Sequence, residues 1–295
     1  MIDNSNQKHS VDADSPSTSG IARSNPATPD AQWEETLQHM KAGNWDAAIS
    51  ACNRMLTLIP DLQEVRELLA SIMLPGEPYL VLMRRIHEHL RPRTYMEIGV
   101  ECGDSLALVR EGTLALGVDP APKIAYPLRP TTKVFAETSD DFFAKRDLNI
   151  ELGGQPIDLA FIDGMHRFEF ALRDFMNLER YCTSESTILV HDCYPLDETT
   201  AAREPSTAFW TGDIWKLTLC LKEYRPELAV YTIATPPTGL GLVRNLDPHS
   251  NVLRDNLQRI CQEFIPLSYA TIAKQKPQLL NLFPNTWPQV RALFE

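Results

Sequence analysis

The sequence has no excess of basic residues. Its 295 residues include 28 Lys and Arg against 39 Asp and Glu, which gives a formal net charge of −11 at pH 7. Proteins that bind nucleic acid over a broad surface need a positively charged face. The acidic balance therefore argues against a nucleic-acid partner and says little about any other function.

Paired cysteines and long hydrophobic runs are also missing. The six cysteines are scattered, and no two have the C-x-x-C spacing of a zinc or redox site. Scattered thiols fit a reduced, cytoplasmic protein better than a disulfide framework. No apolar run approaches the roughly 20 residues that a membrane span needs, and no basic segment followed by an apolar one opens the chain. We therefore expect neither a membrane partner nor a secretion signal.

The first 30 residues contain almost no large apolar side chains and are rich in Ser, Asn, Asp, Pro and Thr. Such a segment cannot bury enough surface to offset the entropy cost of ordering it. The composition predicts a disordered tail over residues 1–30. The remaining length suits one large α/β domain and a smaller module.

Residues 31–90 have the periodicity of helices. A first helix would place Trp33 and Leu37 on one face, Gly43 would end it, and a second helix would run towards Pro60. The pattern resembles a single tetratricopeptide-type hairpin, and two more helices are expected after it. The module could be a helical cap on the main domain or on a second subunit, or it could bind peptides. A peptide groove normally requires three or more repeats, so the cap is favoured.

Strand and helix patterns alternate over residues 91–248. The strand candidates are Thr94–Val100, Leu114–Val118, Lys133–Ala136, Ile157–Ile162, Thr187–Val190, Ala229–Ile233 and Gly241–Arg244. Helical patterns lie between most of them, as in a doubly wound, mainly parallel sheet. The last two candidates are too close for a crossover, so we predict seven strands with an antiparallel last strand. Residues 249–295 would form a helical extension that covers the sheet or contributes to a homodimer.

The segment from Tyr95 to Ser105 is typical of a buried strand, a glycine turn and the start of a helix. Gly99 and Gly103 remove Cβ atoms where the backbone must turn and a ligand can approach. We expect a helix over Ser105–Arg110, with a nucleotide-like ligand near its N-terminus. The dinucleotide fingerprint G-x-G-x-x-G is absent, because Glu101 stands where its middle glycine would be.

An acidic residue follows the second strand candidate. Asp119 lies 22 residues beyond Glu97, close to the spacing at which a carboxylate accepts both hydroxyls of a ribose. A carboxylate at a strand end is also a common turn former. The glycine turn nearby makes ribose binding the favoured interpretation.

Two carboxylates and two imidazoles follow the fourth and fifth strand candidates. Asp163 and His166 come after one strand, and His191 and Asp192 come after the next. Oxygen ligands suit Mg²⁺ or Mn²⁺, and added imidazole also admits Fe, Co or Ni. Either histidine could instead be a general base. Asp163 could also merely cap a helix, and His191 could be a core residue, but the convergence of four such groups favours a site.

Aromatic residues lie between the fifth and sixth strand candidates. Trp210 and Trp215 stand beside Gly212 and Asp213 in the segment 207–216. This segment could form a lid or wall over a substrate, while Trp215 could equally be the buried face of the next helix.

Five motifs together resemble a known family. They are E-I-G-V-x-x-G-x-S from Glu97, G-V-D from Gly117, D-L-A-F-I-D-G-x-H from Asp158, L-V-H-D from Leu189, and T-P-P-T-G-L-G-L-V-R from Thr235. They resemble class I S-adenosylmethionine-dependent methyltransferases, in the branch with F-I-D-G-x-H that includes macrolide-sugar O-methyltransferases. The resemblance covers about Tyr95 to Arg244 and implies a seven-stranded sheet with a reversed last strand.

The resemblance also implies roles for residues of this chain. The cofactor S-adenosylmethionine would be bound by Glu97, Gly99, Gly103, Ser105, Asp119, Thr138, Ser139 and Asp163. Within that set, Asp119 would hold the ribose, and Thr138 and Ser139 would flank the adenine. Asp163 and Asp192 fall where metal-dependent relatives carry Mg²⁺ ligands. Cys193 replaces the asparagine ligand of catechol enzymes, and His191 could compensate for it.

The expected reaction is methyl transfer to an oxygen of a small molecule. His166 would remove the proton of the acceptor hydroxyl, beside Asp163, and a divalent ion held by adjacent hydroxyls would lower the acceptor's pKa. A sugar or glycoside with adjacent hydroxyls is favoured over a catechol. The alternatives are an NAD-dependent oxidoreductase on a similar sheet and a non-catalytic scaffold that binds the cofactor.

Overall fold

The structure, a computed structural model, describes residues 28–295. Residues 1–27, which hold most of the predicted disordered tail, lie outside the described part. The α-helices are α1 (Pro29–Lys41), α2 (Trp45–Leu58), α3 (Gln63–Met73), α4 (Tyr79–Leu90), α5 (Ser139–Lys145), α6 (Leu148–Glu151), α7 (Phe168–Glu179), α8 (Trp215–Tyr224), α9 (Val252–Asp255), α10 (Leu257–Phe264), α11 (Lys276–Leu279) and α12 (Trp287–Ala292). The strands are β1 (Thr94–Ile98), β2 (Leu114–Asp119), β3 (Thr132–Ala136), β4 (Ile157–Ile162), β5 (Cys182–Val190), β6 (Ala229–Ile233), β7 (Leu240–Arg244) and β8 (Leu282–Phe283).

The strands form one sheet in the order β3-β2-β1-β4-β5-β7-β6-β8. Strands β1 to β5 pair in parallel, and β7 is antiparallel to both β5 and β6. This arrangement confirms the predicted α/β fold with a reversed strand near the end of the chain. The eighth strand, β8, pairs with β6 at the sheet edge and was not predicted, because two residues are too short to show a strand period.

Alternate residues of the strands bury against helices on the two faces of the sheet. Met96 of β1 packs in the core cluster that contains apolar residues of α7, α8 and α10. Its neighbour Tyr95 packs in the cluster that contains residues of α4 and α12. This alternation follows from the two-residue repeat of a strand, and it explains why every residue of β1 is buried.

The N-terminal helices pack on the rest of the protein. α1 and α2 meet around the turn at Gly43, which has a left-handed backbone with φ +71°. Apolar residues of α2 and α3 form a buried cluster with Leu196 and Phe209, which belong to the long segment after β5. This contact supports the cap interpretation of the module. Its likeness to a tetratricopeptide hairpin, and the predicted domain limits, remain predictions.

The predicted helix over Ser105–Arg110 is wrong. Only a 3-10 turn at Leu106–Leu108 forms there, and Val109 has an extended backbone with ψ 135°. The Ser105 hydroxyl donates to Glu97 instead of capping a helix. No helix N-terminus therefore faces a ligand at this point. Within residues 28–295, no helix combines the length and apolarity needed to cross a bilayer.

Candidate active site

A cavity of about 1080 Å³ opens at the carboxyl ends of the central strands. Its walls come from the turn after β1, the start of α5, and the loops after β4 and β5. The predicted site residues that line it are Gly99, Ser105, Asp119, Thr138, Ser139, Asp163, His166, His191 and Asp192. Two predicted residues do not line it, since Glu97 is fully buried and Gly103 lies outside its wall. Nine of the eleven predicted site residues therefore line this one cavity.

Gly99 allows the ends of β1 and β4 to approach each other closely. Its backbone has φ +85°, and a Cβ atom there would lie 1.9 Å from the carbonyl oxygen of Asp163. The Asp163 amide in turn donates to the Ile98 carbonyl at 2.8 Å. Only glycine fits a position with both a left-handed backbone and so close a neighbour. The turn and the Asp163 carboxylate are thereby fixed beside each other.

Glu97 lies beneath this turn and is fully buried. The hydroxyls of Tyr95 and Ser105 donate to its two carboxylate oxygens, at 2.5 Å and 2.8 Å. Burial outweighs these two donors and raises the pKa of Glu97 to about 8. Glu97 is therefore mostly protonated at neutral pH and could ionise if a cationic group approached it.

Asp119 ties the glycine turn to the end of β2. Its Oδ2 accepts from the amides of Val100 at 3.0 Å and Glu101 at 2.9 Å, and its Oδ1 accepts from Ala121 at 2.7 Å. A carboxylate has about four lone-pair sites, so these bonds leave room for a ligand hydroxyl. The ribose role of Asp119 remains a prediction, and its role in holding the turn was not foreseen.

Thr138 and Ser139 lie at the start of α5, on the wall of the cavity. The Thr138 hydroxyl accepts from the Asp141 amide at 3.1 Å and so caps the helix. Their contact with an adenine remains a prediction.

The two carboxylates and two imidazoles form one compact cluster. His166 Nε2 lies 3.1 Å from Asp192 Oδ2 and 3.6 Å from Asp163 Oδ1. His191 Nδ1 lies 3.3 Å from Asp163 Oδ1 and 3.5 Å from Asp192 Oδ2. Asp163 does not cap α7, whose N-cap residue is Arg167, and the four groups face one another. The interpretation of the cluster as a functional site is supported and remains a prediction.

The second nitrogen of each imidazole has a neutral partner. His166 Nδ1 lies 3.2 Å from the carbonyl oxygen of Trp210, and His191 Nε2 lies 3.3 Å from the hydroxyl of Thr238. A carbonyl oxygen can only accept, so His166 Nδ1 carries a proton. His166 Nε2 is consequently the nitrogen that can gain or lose a proton towards the cavity.

The charges of the cluster shift its pKa values strongly. Burial lowers the pKa of His166, but the carboxylates of Asp192 and Asp163 outweigh burial and raise it to about 9. The same carboxylates hold the pKa of His191 well above its usual value despite burial. Burial favours protonation of Asp163, yet the two imidazoles hold its pKa well below the usual range. Both imidazoles are therefore cationic at neutral pH when only these side chains are present.

Trp210 and Trp215 have different roles. The Trp210 ring stacks on His166 with centroids 5.2 Å apart and lines the cavity, as the lid interpretation predicts. Trp215 is fully buried at the start of α8, so the buried interpretation holds for it. Cys193 is also buried, its thiol lies against Gly241, and it does not line the cavity.

Several cavity residues were missed by the sequence reasoning. Tyr79, the first residue of α4, has its ring centroid 4.3 Å from that of His191. Gln63 and Glu67 of α3 form part of the wall, as do Arg167 and Glu204, which pair with each other across two loops. No motif identifies these residues, because contacts between distant segments leave no local pattern in a single sequence. The aromatic residues of the segment 207–216 were the one sequence feature that indicated a further wall of the cavity.

Comparison with known proteins gives one family match. Residues 96–193, about a third of the chain, match the family described as a methyltransferase domain. Over this segment the chain is similar to a methyltransferase domain. The match runs from β1 to the residue after Asp192, and so includes the glycine turn, Asp119 and the whole Asp/His cluster. Comparison with curated proteins finds no match.

Solved structures with a similar chain course include several methyltransferases. An O-methyltransferase from Bacillus cereus in complex with SAH is 15% identical, with 63% of this chain and 90% of that chain covered and a TM-score of 0.42. The SAH-bound methyltransferase PaMTH1 from Podospora anserina is 16% identical, with 57% and 78% covered and a TM-score of 0.45. TomG from Streptomyces achromogenes, in complex with SAM, is 13% identical, with 57% and 80% covered and a TM-score of 0.42. At such low identity, the ligands bound to these proteins do not identify a ligand of this chain.

Proposed function

We propose that the methyltransferase domain transfers a methyl group from S-adenosylmethionine to a hydroxyl of a small molecule. The observation that carries the proposal is that one cavity contains both the glycine turn with Asp119 and the Asp/His cluster. Transfer requires the acceptor oxygen to lie behind the methyl group and to lose its proton. The turn suits the cofactor, and the cluster offers groups that handle the proton. A sugar or glycoside with adjacent hydroxyls is the favoured acceptor.

The cluster also suits a divalent cation such as Mg²⁺. One ligand atom from each of Asp163, His191 and Asp192 lies within 4.8 Å of the others. Asp192 Oδ2 is buried and accepts no well-aligned hydrogen bond, which leaves a lone pair available. The Thr238 hydroxyl can accept a hydrogen bond from His191 Nε2–H. This tautomer leaves Nδ1 unprotonated and able to bind a cation. Bound there, the cation would lower the pKa of an acceptor hydroxyl.

His166 is the proposed general base, with Asp163 beside it. Trp210 fixes the proton on Nδ1, so Nε2 is the nitrogen that receives the acceptor's proton. The carboxylates of Asp192 and Asp163 keep Nε2 protonated near neutral pH. His166 can therefore act as a base only when a positive charge close to Asp163 and Asp192 offsets the negative charge of these two carboxylates. This requirement links the proposed cation to the proposed base.

The cofactor is tested by calorimetry of S-adenosylhomocysteine binding, with Mg²⁺ and then with EDTA, and with NAD as the comparison ligand. We expect S-adenosylhomocysteine to bind and NAD not to bind. Binding of NAD alone would favour the oxidoreductase alternative. If neither ligand bound, the proposal would fail and a scaffold role would become the better interpretation.

The cation is tested by titrating Mn²⁺ into the protein and following its electron paramagnetic resonance signal. We expect one strong site that Asp192→Asn and Asp163→Asn each weaken by at least tenfold, roughly the loss of one charged ligand interaction. Asp140→Asn removes a carboxylate that lines the same cavity but lies outside the cluster, and should leave the affinity unchanged. Equal affinity in all three variants would exclude this cluster as the cation site.

The general base is tested by His166→Ala, which should lose turnover and keep cofactor affinity.

A further inference from the structure

A second cavity, of about 470 Å³, shares no lining residue with the active-site cavity. Three arginines line it: Arg84 from α4, Arg110 from the segment before β2, and Arg129 from the segment before β3. The apolar residues Ala107, Leu108 and Val109 also line it. The cavity is therefore both cationic and partly apolar.

The three guanidinium groups lack carboxylate partners. None of them forms an ion pair with an acidic side chain of residues 28–295, whereas Arg85 and Arg173 pair with carboxylates. They remain unpaired although acidic residues are abundant in a chain with a net charge of −11. Unpaired guanidinium groups gathered in one cavity are therefore available to an anionic ligand.

Two of the arginines are held in place by backbone carbonyls. Arg110 Nη1 donates to the Glu88 carbonyl oxygen at 3.3 Å, and Arg129 Nε donates to the Val109 carbonyl oxygen at 3.2 Å. A guanidinium group has five N–H donors, so each keeps several free. Each bond restrains one guanidinium group, which lowers the entropy cost of binding a ligand.

Two carboxylates also belong to the cavity wall. Glu88 and Glu111 line it without pairing with the three arginines, and they leave a single excess positive charge. So small an excess does not suit a polyanion, and the acidic chain as a whole repels one. It suits one compact anionic group.

We propose that this cavity binds a small phosphate monoester. The phosphate would lie among Arg84, Arg110 and Arg129, because guanidinium groups donate paired hydrogen bonds to phosphate oxygens. The organic part would lie against the apolar wall at residues 107–109. The volume exceeds what a bare phosphate fills and falls within the range of roughly 300–1,000 Å³ that is usual for small-molecule sites. The proposal does not depend on the reaction of the methyltransferase domain.

The test is calorimetric titration of the full chain with glycerol 3-phosphate and, separately, with inorganic phosphate at low ionic strength, where charge attraction is least screened. We expect glycerol 3-phosphate to bind with one-to-one stoichiometry and more tightly than inorganic phosphate. Arg110→Gln and Arg129→Gln should each weaken binding by about tenfold or more, the effect of losing one charge-assisted hydrogen bond.

Arg254→Gln is the matched control, since Arg254 is exposed, has no ion-pair partner among the described residues and lies outside the cavity. It should leave the affinity unchanged. Absence of binding, equal binding of both probes, or equal weakening by all three substitutions would overturn the proposal. Thermal unfolding of each variant shows whether the fold is intact. Binding of S-adenosylhomocysteine should be the same in every variant, so the two proposals can fail separately.

Discussion

His166 Nε2 lies 3.1 Å from Asp192 Oδ2, in a part of the cavity where Asp192 is almost fully buried. The two side chains come from loops after neighbouring parallel strands, β4 and β5, which the sheet brings together. The strand ends therefore create the contact, and the contact decides which protonation state His166 has. Any chemistry at His166 depends on the charge balance of this pair.

The first prediction concerns the pKa of His166. Asp192 is its strongest charge partner, so Asp192→Asn should lower the pKa of His166 from about 9 towards its ordinary value near 6.5. The measurement is a pH titration of the His166 ring signals by NMR. Asp140→Asn, which removes a carboxylate from elsewhere in the cavity, should leave that pKa in place. An unchanged pKa in Asp192→Asn would show that another group controls His166.

The second prediction compares two glycines with nearly identical φ angles. Gly112 has φ +86° and no atom within 4 Å of the point where a Cβ would lie, while Gly99 has φ +85° and would place its Cβ 1.9 Å from the Asp163 carbonyl oxygen. Gly112→Ala should cost about 1–2 kcal/mol of unfolding free energy, the strain of a left-handed alanine. Gly99→Ala should cost at least about 3 kcal/mol more, because the end of β1 must move away from β4.

Urea denaturation of both variants measures this difference directly. The comparison cancels the strain that a positive φ causes, since the two φ angles agree within a degree. Similar losses of unfolding free energy in the two variants would mean that the turn at Gly99 can move to accept a Cβ at little cost in free energy. In that case Gly99 would not be what fixes Asp163 beside the turn.

The sheet could be predicted because its signals are local. Thr94–Val100 and Ile157–Ile162 consist mostly of apolar or β-favouring residues, and the short link before β7 allows no crossover. The helix after the glycine turn failed for a reason that is not local. Ser105 has a buried carboxylate, Glu97, within reach, and its hydroxyl donates there. A competing tertiary hydrogen bond leaves no trace in helix propensity.

The site shows the same division. Asp163, His166, His191 and Asp192 could be predicted together because each lies within four residues of the end of β4 or β5, and parallel strands end at one edge of the sheet. Tyr79 and Glu67 belong to helices that precede the sheet in the chain. Their position in the cavity wall is visible only in the folded structure. The multiple backbone bonds of Asp119 likewise depend on the three-dimensional course of the turn.

The third prediction follows from the raised pKa of Glu97. The unfolded chain releases this proton near pH 4.5 and the folded chain near pH 8, so folding retains the proton between these values. Stability from this group is therefore present below pH 4.5, falls as the pH rises towards 8, and is constant above. Gln cannot titrate, so Glu97→Gln should gain stability relative to the unsubstituted chain across that window, by several kcal/mol at about 1.4 kcal/mol per pKa unit.

The measurement is chemical denaturation of both proteins at pH 5, 6.5 and 8. Only the difference between the two proteins is informative, because other groups titrate in the same range. A difference independent of pH would mean that Glu97 has an ordinary pKa in the folded state. The amide keeps acceptors for Tyr95 and Ser105 on only one side, so a constant offset between the proteins is expected in addition.

The fourth prediction contrasts two arginines of the N-terminal helices. The Arg66 guanidinium is buried, donates to the Pro60 carbonyl oxygen and pairs with Asp197 at 3.2 Å, which ties α3 to the segment over the active-site cavity. Arg54 pairs with Glu35 in solvent. Arg66→Met should cost about 2–4 kcal/mol of unfolding free energy, below the full penalty for a buried pair because Asp197 is partly exposed. Arg54→Met should cost less than about 1 kcal/mol.

Urea denaturation measures both losses. If the two losses were equal, Arg66 would not be what holds the module to the domain. If Arg66→Met also weakened acceptor binding, the module would form a working wall of the cavity, since Gln63 and Glu67 on the same helix line it.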